Sequence, residues 1–210
     1  MTTIILTSTV NIHNVDWIYQ KDPSSRIQTY LSSILNWLNN TNFNIVLVEN
    51  SGYNFNELDE EKQKFKHRFE FISFNETKIE EATYLQKHIS KGRHEIFAIN
   101  YAFNNSKLIK SSNFIIKITA RFYIPEFETY LKNYNLNNYD CLVQNNRDRC
   151  EVIGSHKKYF SHIFHMHIDD DHIENVWKAR TSMYANILIC KIFGISETQR
   201  GGMDQRYTTI

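Results

Sequence analysis

TIILTSTV at residues 3–10 is followed by SRIQTYLSSILNWL at 25–38 and FNIVLV at 43–48, and the fold is predicted from these stretches. The two outer stretches are short, β-branched and apolar, which is typical of strands buried on both faces of a sheet. In the middle stretch apolar residues recur every three or four positions, which predicts an amphipathic helix capped by Ser24 or Ser25. A strand, a helix and a second strand in this order predict a βαβ unit.

Segments with the same two patterns continue along the chain. Further helices are predicted at Glu57–His67, Glu95–Phe103 and Ile173–Lys191. Further strands are predicted at Arg68–Phe74 and Asn113–Ile118, with weaker patterns at Tyr139–Gln144 and Glu151–Gly154. Because no repeat or linker divides the sequence, we expect a single α/β domain over residues 1–210, with a mostly parallel central sheet flanked by helices.

Composition and charge exclude several function classes. The chain has 24 Lys and Arg against 23 Asp and Glu, and a net charge of +1 provides no overall field for binding nucleic acid. No apolar run reaches the roughly 18 to 20 residues of a transmembrane segment, and the first residues lack the basic region of a signal peptide. Three cysteines without a CxxC pair indicate reduced thiols. We therefore expect a cytoplasmic protein.

Polar residues that follow the predicted strands are candidates for a binding site. In open α/β sheets, ligands bind beyond the carboxyl ends of the strands. Thr9 and Asn11 follow the first strand, and Glu49 and Asn50 follow the second. Their hydroxyl, amide and carboxylate groups suit a nucleobase and ribose. The alternative is a simple turn, in which Asn50 and Gly52 adopt special backbone angles.

A second candidate is the segment Lys91-Gly92-Arg93-His94-Glu95 before a predicted helix. Free backbone N–H groups and the helix dipole favour an anion such as phosphate at a helix start, and two cations flank the glycine here. Lys91, Gly92 and Glu95 are therefore assigned to nucleotide-sugar binding. The spacing of a P-loop is absent. The alternative is a surface turn with solvated charges.

A third candidate combines Lys117, Thr119 and Arg121 at the end of the predicted fourth strand. A charge inside an apolar strand is costly to bury without a partner. The partner of Lys117 is therefore either a carboxylate of the fold or the phosphates of a ligand. Because Lys117, Thr119 and Arg121 lie at the edge where ligands bind, the sequence favours the phosphates, and the three residues are assigned to nucleotide-sugar binding.

A fourth candidate is the segment from His165 to Glu174, in which two His flank Met166 and three Asp follow. His167, Asp169 and Asp171 offer nitrogen and oxygen ligands for Mn²⁺ or Mg²⁺. The alternative is an acidic helix start, with Asp171 as the cap. Asp171 and Glu174 would lie on one helix face, where either carboxylate could act as a general base.

Motifs of several other enzyme classes are absent from the sequence. It contains no GxSxG, no HExxH and no GxGxxG after the first strand, which argues against serine hydrolases, zinc proteases and NAD- or FAD-dependent enzymes.

The order of these segments resembles the small GT-A-fold glycosyltransferases that use nucleotide sugars, including short ones of large DNA viruses and bacteria. The resemblance extends over residues 3–174. It is carried by IILTST (4–9), IVLVENSG (45–52), KGRHE (91–95), IKITARFY (116–123) and CEVIGS (150–155). The fourth of these is similar to a K-I-T-G-R-Y signature of several sugar transferases, with Ala120 in place of Gly.

The resemblance implies a nucleotide-binding part over about residues 1–120 and an acceptor-side part over about 121–210. Thr9, Glu49 and Asn50 would lie near the base and ribose, and Lys91 and Gly92 near the pyrophosphate. The donor would be a nucleotide sugar, with UDP as the commonest case, and the acceptor a glycan or glycoconjugate hydroxyl. A virus-encoded member would act in the cytoplasm of its host.

Glu174 corresponds in the resemblance to the catalytic carboxylate of many inverting members, with Asp171 or Asp169 as alternative bases. One departure concerns the metal, because the family's Asp-x-Asp after the fourth strand is replaced here by Thr119-Ala120-Arg121. Either Lys117 and Arg121 neutralise the diphosphate, or the later acidic segment holds a metal ion. A nucleotidyltransferase that makes the activated sugar and a non-enzymatic nucleotide- or sugar-binding module are the alternative functions.

Overall fold

The structure is a computed structural model that describes residues 1–12, 18–87, 90–145, 148–165, 172–202 and 204–210. The strands of these ranges are β1 (Thr2–Ser8), β2 (Asn44–Glu49), β3 (Phe69–Ser73), β4 (Phe114–Thr119), β5 (Cys141–Val143), β6 (Val152–His156), β7 (Ile187–Ile189), β8 (Gly194–Gln199) and β9 (Arg206–Thr209). The α-helices are α1 (Pro23–Asn40), α2 (Asp59–Lys64), α3 (Lys91–Asn105), α4 (Lys107–Lys110), α5 (Phe127–Leu131), α6 (Phe160–Ile163) and α7 (Ile173–Thr181). Short 3-10 turns lie at Asn56–Leu58, Glu76–Lys78, Glu80–Lys87, Leu136–Asn138 and Lys157–Tyr159.

In the described part of the chain, the first seven strands form one sheet in the order β3-β2-β1-β4-β6-β5-β7. The strands β3, β2, β1 and β4 are parallel, β6 is antiparallel to its neighbours β4 and β5, and β7 is parallel to β5. The expected α/β domain with a mostly parallel sheet and flanking helices is confirmed. The register pairs Ser8 with Glu49 and Thr7 with Thr119, so the carboxyl ends of β1, β2 and β4 meet at one edge.

The central strands are buried on both faces because their successive side chains point to opposite sides of the sheet. Ile4 of β1 lies in one core cluster with Trp37 of α1. Ile5, the next residue, lies in a second core cluster with Ile99 of α3 and Trp177 of α7. This double coverage explains the continuous apolar run of β1. None of the helices in the described ranges is long and apolar enough to span a bilayer.

Helix α1 begins two residues earlier than the sequence predicts. Asp22 is the N-cap, and its Oδ2 accepts a hydrogen bond of 2.7 Å from the backbone N–H of Ser25. Pro23 occupies the first helical position, where its missing N–H leaves no bond unmade. The predicted cap at Ser24 or Ser25 is therefore wrong, because the aspartate oxygen accepts the free N–H group instead.

The predicted helix from Ile173 to Lys191 is wrong in its second half. Helix α7 ends at Thr181, whose hydroxyl donates to the carbonyl of Trp177 at 2.7 Å. The following segment forms β7, in which Leu188 is buried in the core beside β5.

The hairpin of β8 and β9 is not among the predicted elements. Gly201 and Gly202 lie between its two alternating stretches and are typical of a turn.

Candidate functional site

The carboxylate of Glu49 joins the loops that follow β1 and β2. Its side chain is completely buried and accepts four hydrogen bonds. Oε1 accepts from the Val10 N–H at 2.8 Å and the Ser51 hydroxyl at 2.5 Å, and Oε2 accepts from the N–H groups of Ser51 and Tyr53 at 2.9 Å each. Burial raises the pKa of Glu49, while the hydrogen bonds from Ser51, Val10 and Tyr53 oppose the shift. Glu49 thus fixes the backbone of both loops.

A chain of hydrogen bonds links the end of β1 to helix α3. Thr9 Oγ1 donates to Asn50 Oδ1 at 2.6 Å, and Asn50 Nδ2 donates to Glu76 Oε2 at 2.8 Å. Glu76 Oε1 lies 2.6 Å from Nδ1 of His94, which is in the first turn of α3. The sequence did not indicate Glu76, and it indicated His94 only as a member of the segment at 91–95, because no local pattern shows that these two side chains meet. These hydrogen bonds hold Asn50 in one orientation at the strand end.

The turn alternative for the second strand end is partly confirmed. Gly52 has a φ of 83°, in the left-handed region that favours glycine, and a Cβ there would lie 3.1 Å from Asn75 Cβ. Asn11 contributes its backbone N–H, which donates to the Ser51 hydroxyl at 2.9 Å. These contacts shape the loops around the edge of the sheet.

Lys117 is completely buried beneath this edge and is paired with the protein's own carboxylate. Its Nζ lies 2.8 Å from Glu95 Oε1 and donates to Thr119 Oγ1 at 3.1 Å and to the Cys150 carbonyl at 2.8 Å. The same Glu95 oxygen accepts from the Thr7 hydroxyl at 2.7 Å. Burial opposes the charged form of Lys117, but the charge and hydrogen bond of Glu95, together with Cys150 and Glu151, outweigh burial, and the pKa of Lys117 is raised. Of the two partners that the sequence left open, the structure shows the carboxylate.

Arg121 lies between the sheet edge and the C-terminal hairpin. It is 8% exposed, and its Nη1 donates to the carbonyl of Gln199 at 3.3 Å. A Cβ at Gly201 would lie only 2.7 Å from Nη2 of Arg121, so the guanidinium packs directly against the hairpin turn. The guanidinium carbon also lies 5.9 Å from the ring centroid of Tyr30.

Lys91, the first residue of α3, shares an electrostatic environment with Arg121. Burial lowers the pKa of Lys91, and the charges of Arg121 and Arg200 act in the same direction. Glu174 and Glu95 have the opposite effect on Lys91. Three cations are therefore gathered at this edge, together with the carboxylate of Glu174. The sequence did not indicate Arg200, because it precedes a glycine turn whose position against β4 is set only by the tertiary fold.

Gly92 brings the start of α7 against the start of α3. A Cβ at Gly92 would lie 2.6 Å from Cβ of Ile173, the first residue of α7. The observed reason for glycine here is thus close helix packing, and its approach to a pyrophosphate stays a prediction. The same packing places Glu174, the second residue of α7, near Lys91.

Glu174 also borders a cleft on the side of β5 and β6. The cleft is lined by Gln144, Arg149 and Cys150, with the rest of its wall formed by apolar residues and α7. Burial raises the pKa of the Cys150 thiol well above its usual value, so this thiol is neutral at physiological pH. Glu174 thus borders this cleft and also lies near Lys91 at the start of α3.

The predicted metal ligands lie outside the described residues. This applies to His167, Asp169 and Asp171, and therefore to both alternative bases, Asp169 and Asp171. Among the residues that the structure does describe, no group of three or more His, Cys, Asp or Glu could hold a metal ion.

Comparison with solved structures identifies proteins of the same architecture. The chain aligns with a Desulfovibrio desulfuricans protein assigned as a nucleotide-diphospho-sugar transferase (14% identity, TM-score 0.50, 90% of this chain and 79% of that one). It also aligns with the galactosyltransferase LgtC in complex with donor and acceptor sugar analogues (10% identity, TM-score 0.52, 90% of this chain and 73% of that one). A third match is the glycosyltransferase GlyE of Streptococcus pneumoniae (8% identity, TM-score 0.54, 90% of this chain and 45% of that one). No protein-family model and no curated protein matches the sequence.

The chain has a GT-A-like transferase fold. This agrees with the resemblance noted in the sequence, and it places the Lys91, Arg121 and Arg200 cluster at the sheet edge of a GT-A-like domain. The identities of 8 to 14% establish the fold alone.

Proposed function

We propose that the protein is a glycosyltransferase that moves a sugar from a nucleoside diphosphate donor, with UDP as the first candidate, to an acceptor hydroxyl. The observation that carries the proposal is the grouping of Lys91, Arg121 and Arg200 with Glu174 at the carboxyl edge of a GT-A-like sheet. Cations there can bind a diphosphate, and a carboxylate beside them can accept a proton.

In the proposed reaction, an oxygen of the acceptor attacks the anomeric carbon of the donor sugar. The bond between that carbon and the β-phosphate oxygen breaks, and the nucleoside diphosphate leaves with the electron pair. Lys91, Arg121 and Arg200 stabilise the negative charge that develops on the leaving group. The proton of the acceptor hydroxyl passes to the carboxylate of Glu174, which lies near Lys91 in the first turn of α7.

The loops after β1 and β2 complete the proposed donor site. Glu49 keeps these loops in one conformation. The hydrogen bonds that join Thr9 to Asn50 and Asn50 to Glu76 have the same effect. A preorganised loop binds a base and ribose with little loss of conformational entropy. We assign Thr9 and Asn50 to nucleoside positioning, and Glu49 to support of the loop backbone.

The experiment is a UDP-release assay with a panel of UDP-sugars, comparing the wild type with Glu174→Gln. Glu60→Gln is the matched control, because Glu60 is an exposed carboxylate on α2. We expect Glu174→Gln to retain donor binding and to lose release by about a hundredfold or more, the usual contribution of a general base. Full release by this variant would refute the assignment of the base. Binding without any turnover by the wild type would favour a non-enzymatic binding module, and release of pyrophosphate from a nucleoside triphosphate would favour a nucleotidyltransferase.

A further inference from the structure

The residues beyond β4 do not fit a divalent metal ion. Mn²⁺ and Mg²⁺ take oxygen ligands, mostly carboxylates. Thr119, Ala120 and Arg121 supply a hydroxyl, a methyl group and a cation at this point, and the hydroxyl of Thr119 already accepts from Lys117. A metal ion placed here would be repelled by Arg121, so the chemistry of this edge favours an anion.

Arg121 is a buried cation whose charge is not balanced within the described part of the chain. It is 8% exposed, and its hydrogen bond to Gln199 uses one of the five N–H donors of the guanidinium. The described residues place no carboxylate within ion-pair distance of it. A buried charge without a counter-charge is strongly unfavourable, so this position selects for an anionic ligand.

Two further cations are close to Arg121 from different elements. Lys91 begins a helix of 15 residues, whose dipole adds to the positive potential. Arg200 lies at the tip of the C-terminal hairpin, next to Gln199 and Gly201, which both contact Arg121. Burial lowers the pKa of Lys91, and the charges of Arg121 and Arg200 lower it further, which supports the proximity of both arginines to Lys91.

We propose that Lys91, Arg121 and Arg200 hold the diphosphate of the donor directly, in the place where a GT-A enzyme with Asp-x-Asp holds a metal ion. The inference rests on the proposed function and deepens it. Guanidinium groups bind phosphate oxygens in a bidentate manner, and two of them with an ammonium match the charge of a diphosphate. The C-terminal hairpin is then a part of the donor site, because it supplies Arg200.

Calorimetric titration of UDP, GDP and CDP tests the proposal, with each nucleotide measured in EDTA and in Mn²⁺. We expect the affinity for the preferred nucleotide to be the same in both buffers. Arg121→Gln and Arg200→Gln should each weaken it about ten- to a hundredfold, the loss of a hydrogen bond to a charged group, without weakening the binding of the matching nucleoside. Arg206→Gln is the control, because Arg206 lies on the same hairpin but is exposed and paired with Glu197.

The outcomes separate this inference from the proposed function. Binding that requires Mn²⁺ would overturn the cation site and leave the transferase proposal standing. Binding in EDTA that neither arginine variant weakens would also overturn the cation site. Failure of all three nucleotides to bind in either buffer would overturn the inference and the proposed function together. Circular dichroism of Arg121→Gln and Arg200→Gln confirms that any loss of affinity occurs in folded protein, and Arg200, at a hairpin tip, keeps the test informative if Arg121→Gln does not fold.

Discussion

The ammonium nitrogen of Lys117 lies 2.8 Å from Oε1 of Glu95, in a pair that links β4 to α3 beneath the edge of the sheet. Arg121, four residues later, has no such partner among the described residues. Two cations of one short segment therefore have different environments. Lys117 is neutralised inside the fold, and Arg121 is the one that a ligand can neutralise.

Breaking this ion pair should have an asymmetric effect on stability. Lys117 is completely buried, whereas the side chain of Glu95 is 21% exposed and still accepts from Thr7. Glu95→Gln leaves a buried charge without a counter-charge and should lower the free energy of unfolding by about 3 to 5 kcal/mol. Lys117→Met leaves a carboxylate that water can reach and should have a smaller effect. Urea denaturation measures both, and equal losses would contradict the asymmetry.

The contact between Gly92 and Ile173 should be sensitive to volume. Gly92→Ala forces a Cβ to within 2.6 Å of the Ile173 side chain and should destabilise the protein by about 1 to 3 kcal/mol, because both positions are buried. Ile173→Gly removes the obstructing atoms, which are Cβ, Cγ2 and Cγ1 of Ile173. In a double-mutant cycle by urea denaturation, we expect the pair to be less destabilised than the sum of the two single variants. Additive effects would show that the two residues do not pack against each other.

Ionisation of Glu49 should make stability depend on pH. Burial is the main cause that raises the pKa of Glu49 above its ordinary value of 4.5, so its charged form is less favourable in the folded state than in the unfolded state. The stabilising contribution of Glu49 to the free energy of unfolding is complete below pH 4.5. It is lost as the pH rises through the pKa that Glu49 has in the folded state. The stability of the wild type relative to Glu49→Gln should therefore fall as the pH increases from about 4.5 to 7.

Thermal unfolding of both proteins across that range measures the difference. Glu60→Gln corrects for the change in net charge, because Glu60 is exposed on α2. A relative stability of the wild type that rises with pH would show that the hydrogen bonds of Glu49 outweigh its burial.

The sequence predicts the fold best where each segment is long and regular. β1 and β2 are continuous apolar runs, and α1 has a clear helical period, so their order alone indicates a βαβ unit. β7 has only three residues, which is too few to separate it from the end of a helix. The helical pattern of the sequence continues past Thr181. Residues 187–189 nevertheless form a strand, because they pair with β5.

The sequence predicts those features of the candidate site that depend on local patterns, and it does not predict contacts that the tertiary fold creates. The need of Lys117 for a partner follows from its position in an apolar strand, whereas the identity of that partner, Glu95, depends on how α3 packs against the sheet. Arg200 lies 79 residues after Arg121, and the contact of its hairpin with Arg121 is a property of the tertiary fold. The same holds for the bond between Glu76 and His94.

A crystal structure of the protein grown with UDP in the presence of EDTA tests the central claim most directly. We predict diphosphate oxygens within about 3.2 Å of the Arg121 guanidinium and the Lys91 ammonium, at the carboxyl edge of the sheet. Well-ordered UDP bound elsewhere, with the Arg121 guanidinium still held by Gln199 alone, would contradict the account.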